Sequence, residues 1–274
     1  MRIEKAMLVF WKDWREIRRN WQVILPIVIV PLMISVVLPI LVAVIPSMVA
    51  TQGDSFSDFL PLIENLPNNI QMQLAGFTDQ QVMIYVLAVF VFAPFFLIIP
   101  LMVSSVIASD SFAGEKERKT IEALLATPIS DGEMFFGKML VSFIPSIIVT
   151  IISFMVYTIV FDVVAFGLFD GMILLPNLDW ILMIFGLAPT LALTSIGLTV
   201  MISVRVKGFR EAQQISAVLV IPILALVFGQ VTGAIIFGPI VILALIGLFA
   251  AIDLVVFRLG LKLFKREEIL SKLV

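Results

Sequence analysis

Long apolar runs separated by short polar segments dominate this sequence. Six runs extend over roughly residues 23–48, 82–109, 139–161, 180–204, 215–231 and 234–257, and the fifth is the shortest. About 20 consecutive apolar residues cross a ~30 Å hydrocarbon core as an α-helix. The runs are unbroken and lack the period-two alternation of β-barrel strands. The pattern therefore predicts an all-α polytopic membrane protein, with six transmembrane helices in a single domain over residues 1–274.

The first 21 residues carry a different pattern, in which apolar residues recur at alternating steps of four and three. At 100° per residue they occupy an arc of about 80° on a helix. This predicts an amphipathic helix over residues 1–21 that lies in the membrane interface. A short coiled-coil seam is the alternative, because the same spacing fits a and d positions. The stripe consists of Ile3, Met7, Phe10, Trp14, Ile17 and Trp21.

The basic residues of the chain are confined to alternate connections between the apolar runs. All 18 Lys and Arg residues fall within residues 1–21, 110–138, 204–214 and 258–274. Because Lys and Arg favour the cytoplasmic side, we expect a multi-pass protein of the cell membrane. Both termini would be cytoplasmic, with residues 258–274 as a tail. Tyr85, Tyr157 and Trp180 lie near the other ends of their runs, where an aromatic belt is expected.

Two residue types that carry much enzyme chemistry are missing from the sequence. It contains no Cys and no His, which removes thiol chemistry, the commonest general base and the commonest metal ligand. Zinc proteases and Ser-His hydrolases are thereby excluded. The net charge is −2, and no basic patch dominates, which argues against a nucleic-acid partner. We expect no enzymatic activity and no cofactor in this chain itself.

One segment resembles a phosphate-binding loop but lacks its essential features. Gly132 to Lys138 fits the spacing G-x4-G-K. The next residue is Met139, which cannot bind Mg²⁺ as Ser or Thr would, and no strand precedes the segment. Ser130 and Glu133 instead have the spacing of a capping box that begins a helix. The sequence therefore predicts no nucleotide-binding site in this chain.

The connection over residues 110–138 carries a short amphipathic segment. Ile121, Leu124 and Leu125 form an apolar face, and Pro128 would end a short helix. Glu115 and Lys119 have the spacing of an i,i+4 ion pair. Such a segment suits docking into a groove on a cytoplasmic partner. The alternative is that it packs against the cytoplasmic helix ends of the same chain.

From Glu115 to Lys138 the sequence resembles the ABC-2 type permeases, the six-span membrane subunits of ATP-binding-cassette exporters. The shared pattern is Glu-x-Glu-x-x-Thr-Ile-Glu-x-Leu-Leu-x-Thr-Pro-Ile-Ser followed by Glu and Gly-Lys. A weaker likeness covers residues 210–214, and the six spans and the N-terminal helix extend the resemblance over essentially the whole chain. Lys119 departs from the pattern, because a Gly often precedes the Thr in this family.

The resemblance implies a cytoplasmic coupling loop over residues 110–138 that inserts into a separate ATPase subunit, and a second contact over residues 205–214. That ATPase would bind ATP and Mg²⁺, and two permease subunits would form a dimer, as a homodimer if the copies are identical. The implied coupling residues are Glu115, Glu117, Thr120, Ile121, Glu122, Leu124, Leu125, Pro128, Arg210, Glu211 and Gln213.

One carboxylate lies inside an apolar run. Asp253 is either part of an intramembrane polar site with Thr190 and Thr194, or a structural partner of Arg258 and Lys262. So little intramembrane charge favours hydrophobic or amphipathic cargo, with sodium possible by family analogy.

Two other function classes make different predictions for the sequence. A secondary carrier or channel without an ATPase would predict an inverted repeat, and an intramembrane enzyme would need a Ser-Lys or Asp-Asp pair; the sequence shows neither. Residues 229–239 are compatible with a re-entrant hairpin or a plain turn.

Overall fold

A computed structural model describes residues 2–49, 63, 66, 68–120, 127–232, 234, 235 and 237–263 of the chain. In these residues the regular structure is helical, without strands. The helices are α1 Ile3–Ile17, α2 Trp21–Val44, α3 Asn68–Leu74, α4 Asp79–Glu117, α5 Asp131–Ala165, α6 Leu178–Ser203, α7 Phe209–Val231 and α8 Pro239–Gly260. Helical structure continues beyond α2 to Val49 and beyond α8 to Leu263.

Six of the described helices, α2 and α4 to α8, are long and apolar enough to cross a membrane. This confirms the predicted fold class and the predicted number of spans. Helix α4 lies at the centre, where it packs against α2, α5, α6 and α7. Its apolar stretch is the most buried of the six, and that of α8 is the least buried. The chain thus forms a bundle around α4, with α8 at its periphery.

The two ends of the bundle differ in charge. The described basic segments meet at one end, here called the basic end: the Arg2 N–H donates to Glu133 Oε1 at 2.6 Å, and Lys116 Nζ donates to the Val206 carbonyl at 3.0 Å. At the opposite end, Gln81 Nε2 donates to the Leu168 carbonyl at 2.6 Å.

At the basic end, α4 and α5 run further than their apolar runs predict. Helix α4 continues to Glu117, past the predicted end of its span at residue 109. Helix α5 begins at Asp131, where Ser130 and Glu133 form the predicted capping box, so that prediction is confirmed. The two helices therefore carry charged residues of the predicted loop 110–138 into the packed structure.

The backbone of α4 is irregular around Pro94, and buried aromatic side chains satisfy its carbonyl groups. Residues Val86–Val91 form a π-helical turn, and Pro94 has no N–H to donate back along the helix. The carbonyls of Ala88 and Val89 instead accept hydrogen bonds from Tyr157 Oη at 2.9 Å and Trp180 Nε1 at 3.0 Å. Because an unpaired carbonyl is costly in the membrane interior, these bonds hold α5 and α6 against the kinked part of α4.

The aromatic belt predicted for Tyr85, Tyr157 and Trp180 is wrong. Tyr157 and Trp180 are fully buried inside the bundle, and Tyr85 is only 9% exposed. The rings of Tyr157 and Trp180 stack with centroids 5.0 Å apart. The position of these residues near the ends of their spans predicted contact with the lipid interface. Tyr157 and Trp180 lie inside the bundle instead, because the carbonyls of α4 accept their hydrogen bonds there.

Candidate functional site

The N-terminal helix α1 packs along α5 at the basic end. Its buried residues are Ala6, Val9, Phe10, Asp13 and Ile17. At 100° per residue, the centre of this face is rotated by roughly 60° from the predicted apolar stripe. Ile3 and Trp11 remain exposed, as an interfacial helix requires on its lipid side. The helix therefore has two faces, one for the protein and one for the surroundings.

Gly137 of α5 permits the close approach of α1. A Cβ atom at this position would lie 2.5 Å from the Ala6 carbonyl oxygen and 2.8 Å from Val9 Cβ. Any larger residue would collide with the α1 backbone. Gly137 and Lys138, which fit the spacing of a phosphate-binding loop, therefore have other roles here. Gly137 allows close packing of α1, and Lys138 carries a charge that pairs with Asp13 and Glu115.

Lys138 is the centre of a buried charge cluster, defined here as Lys12, Asp13, Glu115 and Lys138. Lys138 is 0% exposed, and its Nζ lies 3.1 Å from Asp13 Oδ2 and 2.7 Å from Glu115 Oε2. It also donates to the Ser111 carbonyl at 2.6 Å. The three partners belong to α1 and α4, whereas Lys138 belongs to α5. One ammonium group therefore joins three helices.

Lys12 completes the charge cluster from the side of α1. Its Nζ lies 3.1 Å from Asp13 Oδ1 and 3.4 Å from Glu16 Oε2, and it also pairs with Glu115 Oε1. The carboxylates of Asp13, Glu16 and Glu115 could by their spacing hold a metal ion. Because the Lys12 ammonium contacts all three, it supplies the positive charge that an ion would bring.

The electrostatics of the cluster favour the charged forms of Asp13 and Lys12. Burial opposes the charged form of Asp13, but the ammonium groups of Lys138 and Lys12 outweigh it and hold the pKa of Asp13 below its ordinary value. Burial likewise opposes the charge of Lys12, but Asp13 and Glu115 raise the pKa of Lys12 above its ordinary value. Buried charges are tolerated only when they are paired in this way.

A second set of ion pairs extends the cluster to the end of α4. Arg118 Nη1 lies 2.9 Å from Asp110 Oδ1, and Arg118 Nη2 lies 2.9 Å from Glu16 Oε1. Asn20 Nδ2 donates to the same Asp110 oxygen at 3.0 Å. The junction between α1 and α2 is thus tied to the last turns of α4.

Helix α4 ends in a left-handed turn at Lys119, the position where the resemblance leads us to expect a glycine. Lys119 has φ of 57°, in the left-handed region that favours glycine. The Lys119 N–H donates to the Lys116 carbonyl, and the Thr120 N–H donates to the Glu115 carbonyl at 3.0 Å. These two bonds define a Schellman motif. A Gly at this position would adopt the same turn without steric cost.

The two connections that the sequence assigned to coupling contact each other. Glu117 Oε2 accepts from the Phe209 N–H at 2.9 Å, which satisfies a free donor at the start of α7. A Cβ atom on Gly208 would lie 2.5 Å from the same Glu117 oxygen. Glu211 accepts from the Lys207 N–H at 2.9 Å. The end of α4 and the start of α7 therefore form one hydrogen-bonded unit.

The predicted coupling residues divide into three groups by location. Glu115 is buried in the charge cluster, where it pairs with Lys12 and Lys138 instead of Lys119. Ile121, Glu122, Leu124 and Leu125 lie outside the described residues. The others are exposed or half-buried at the basic end: Glu117, Thr120, Pro128, Arg210, Glu211 and Gln213.

The predicted intramembrane polar site is assembled in part. Thr194 Oγ1 donates to Asp253 Oδ1, which joins α6 to α8, whereas Thr190 donates to the Leu187 carbonyl of its own helix. Within the described residues, no ion pair joins Asp253 to a Lys or Arg. The side chain of Lys262 lies outside that description.

Sequence reasoning missed Lys12, Asp13 and Lys138 as members of a site. The available signals were an acidic residue beside the predicted apolar stripe of α1 and a lysine at the start of an apolar run. Neither signal identifies its partner, because Asp13 and Lys138 are 125 positions apart.

Comparison of the chain with known proteins and protein families identifies its family. No individual curated protein matches the chain. Residues 7–238 match the family described as ABC-2 family transporter protein. This match covers α1 from Met7 onward and all of α2 to α7, and so includes the charge cluster and both connections at the basic end. The chain therefore belongs to the ABC-2 transporter family and is a permease of an ABC transporter.

Proposed function

We propose that this permease is the membrane subunit of an ATP-driven exporter, powered by a separate ATPase subunit that binds at the basic end. The supporting observation is the joining of α1, α4, α5 and α7 through the charge cluster and the Glu117–Phe209 hydrogen bond. A movement applied at this end would reach several membrane helices together, because paired buried charges resist separation.

The surface around this unit offers the residues that a docking partner needs. Thr120 and Pro128, which flank residues 121–126, are exposed, and so are Arg210 and Glu211. Lys5 Nζ donates to the Pro128 carbonyl at 2.6 Å, so the loop is also fixed to α1. The basic end would face the cytoplasm by the bias of Lys and Arg, and that is where an ATPase finds ATP. ATP and Mg²⁺ would be bound by the partner.

Cargo and oligomeric state follow from the same reasoning. The described spans bury few charged groups away from the basic end, which favours hydrophobic or amphipathic cargo over inorganic ions. Export follows from the likeness to ABC-2 exporters, and so does a complex of two copies of this chain with two ATPase subunits. The exposed apolar faces of α2 and α8 leave area for a second copy within the membrane.

Docking can be tested by coexpression and copurification of this chain with ABC ATPase subunits from the same organism. We expect the double substitution Leu124→Asp and Leu125→Asp to remove the ATPase from the purified complex, because two charges cannot enter an apolar groove without loss of its contacts. The measurement is the ATPase-to-permease ratio after affinity purification in detergent.

The matched control is the double substitution Met172→Asp and Ile173→Asp, which places the same two charges on residues that are 48% and 77% exposed at the opposite end. This control should keep the ATPase at the wild-type ratio. An unchanged ratio in the Leu124/Leu125 double variant would overturn the docking proposal.

A further inference from the structure

Asp253 lies in an unusual place for a carboxylate. It is seven residues before Gly260, the last residue of α8, which corresponds to about 10 Å along the helix axis. Its side chain is half-buried, and Thr194 Oγ1 donates to it at 2.5 Å. A carboxylate can accept about four hydrogen bonds, so this contact leaves most of its capacity unused.

The carboxylate faces a cavity with apolar walls. The cavity measures about 240 Å³ and lies between α5, α6 and α8. Phe135 and Phe257 form an aromatic side of it, with ring centroids 5.8 Å apart in an edge-to-face arrangement. The remaining apolar wall consists of Met139, Leu193, Leu254 and Val256.

The base of the cavity is a close contact between α6 and α8. A Cβ atom on Gly197 would lie 2.1 Å from Val256 Cγ1, so the Val256 side chain of α8 packs directly onto the backbone of α6. This contact and the Thr194–Asp253 hydrogen bond fix the carboxylate relative to the aromatic rings. The cavity is therefore a built feature of the α6–α8 interface.

Among the residues that the structure describes, no ion pair accounts for Asp253. Arg258 is the nearest described basic residue along α8, but five residues place it about 140° around the helix. Its side chain is exposed, and no ion pair joins it to Asp253. A charge within a membrane span that lacks an internal partner indicates a ligand or pathway.

The chemistry of the cavity selects among possible ligands. Inorganic cations such as Ca²⁺ or Mg²⁺ require about six or more oxygen ligands, whereas Asp253 and Thr194 are the polar side chains that the described residues place here. An aromatic ring attracts a cation placed over its face, and apolar walls bind an apolar body. We propose that this cavity binds an organic cation with an apolar body, with its positive centre at Asp253.

This inference rests on the proposed function, because it assigns a substrate class to the exporter: hydrophobic organic cations. Asp253 would be a binding residue that contacts the positive centre. Thr194 would be a positioning residue that orients the carboxylate. Phe135 and Phe257 would contribute contact with the apolar body.

Two ions of nearly equal size and opposite charge provide a direct test. Tetraphenylphosphonium and tetraphenylborate would be titrated against the purified full-length chain in detergent, without nucleotide and without the ATPase. We expect wild-type protein to bind the cation at least about tenfold more tightly than the anion. Asp253→Asn should lower the affinity for the cation by about tenfold, because it removes the charge and keeps the shape.

Several variants separate a binding role from a structural one. Asp179→Asn removes a carboxylate at the opposite end and should leave cation binding unchanged, while Asp253→Glu should retain most of it. Phe257→Ala should weaken binding of both ions through loss of apolar contact. Thr194→Val should weaken cation binding less than Asp253→Asn, because the charge remains.

The wild-type titration alone keeps the inference falsifiable if Asp253→Asn does not fold. Equal affinity of the wild type for both ions would overturn it, as would displacement of the cation by sodium chloride but not by potassium chloride. A chain that retains its ATPase partner but binds neither ion would overturn this inference and leave the proposed function standing. Loss of the ATPase partner with cation binding intact would overturn the proposed function and leave the cation site standing.

Discussion

Replacement of Lys138 by Met should destabilise the protein more than any other single substitution at the basic end. The change would leave Asp13 and Glu115, which are 2% and 1% exposed, with the half-exposed Lys12 as their one remaining shared ammonium group in the charge cluster. Removal of one partner from a buried ion pair costs about 3–5 kcal/mol. We expect loss of the monodisperse peak in detergent after mild heating, measured by fluorescence-detected size-exclusion chromatography.

Two further variants isolate the cause of this effect. Lys207→Met removes an exposed lysine at the same end and should have little effect on stability. The double variant Asp13→Asn with Lys138→Met should recover part of the loss, because one of the two buried carboxylates that would share Lys12 disappears. If Lys138→Met melts like the wild type, the charge cluster does not hold the three helices together.

Replacement of Gly137 by Leu should detach α1 from α5. A side chain at this position collides with the α1 backbone at the Ala6 carbonyl oxygen, which cannot move aside by a change of rotamer. Overpacking of this kind typically costs about 1–3 kcal/mol, and displacement of α1 would also withdraw Asp13 from Lys138. The contact with α1 is therefore expected to be lost.

The absence of native cysteines makes this displacement measurable. A single cysteine at Ala6, which is 0% exposed, should resist maleimide labelling in the wild-type background and react rapidly in Gly137→Leu. Gly132→Leu is the matched control on the same helix, because a Cβ atom there meets nothing within 4 Å. Equal labelling rates for all three proteins would contradict the close packing of α1 on Gly137.

Much of the fold could be predicted from the sequence because hydrophobic length determines membrane spans. The six apolar runs located the spanning helices, and Ser130 with Glu133 located the start of α5. The extension of α4 to Glu117 could not be predicted, because Asp110 and Glu115 look like loop residues until their partners are known. Their burial depends on Arg118 and Lys138, which reach them from the end of α4 and from α5.

The candidate site was predicted less completely than the fold. The likeness to ABC-2 permeases identified Glu115 and Glu117 by position, but it gave both the same role. The structure separates them, because Glu115 is buried against Lys138 whereas Glu117 is exposed and accepts from the Phe209 N–H. The directions in which the two side chains leave the end of α4 determine which one is buried. A sequence pattern does not specify these directions.

The role of Tyr157 and Trp180 illustrates the same limit in the membrane interior. Their place near the ends of apolar runs predicted contact with lipid headgroups. Their donors are instead required inside the bundle. The irregular turn before Pro94 leaves the carbonyls of Ala88 and Val89 without backbone donors, and the two side chains donate to them. A proline in one helix thus determined the position of polar aromatic groups on two others.

The proposed function places an ATPase subunit at the basic end of this permease. Photo-crosslinking tests it most directly, with p-benzoylphenylalanine in place of the exposed Arg210 or, as a control, the exposed Ile173 at the opposite end. The complex would be irradiated in native membranes and the products identified by mass spectrometry. We expect a crosslink to the ATPase from position 210 and none from position 173. A crosslink from position 173, with none from position 210, would contradict it.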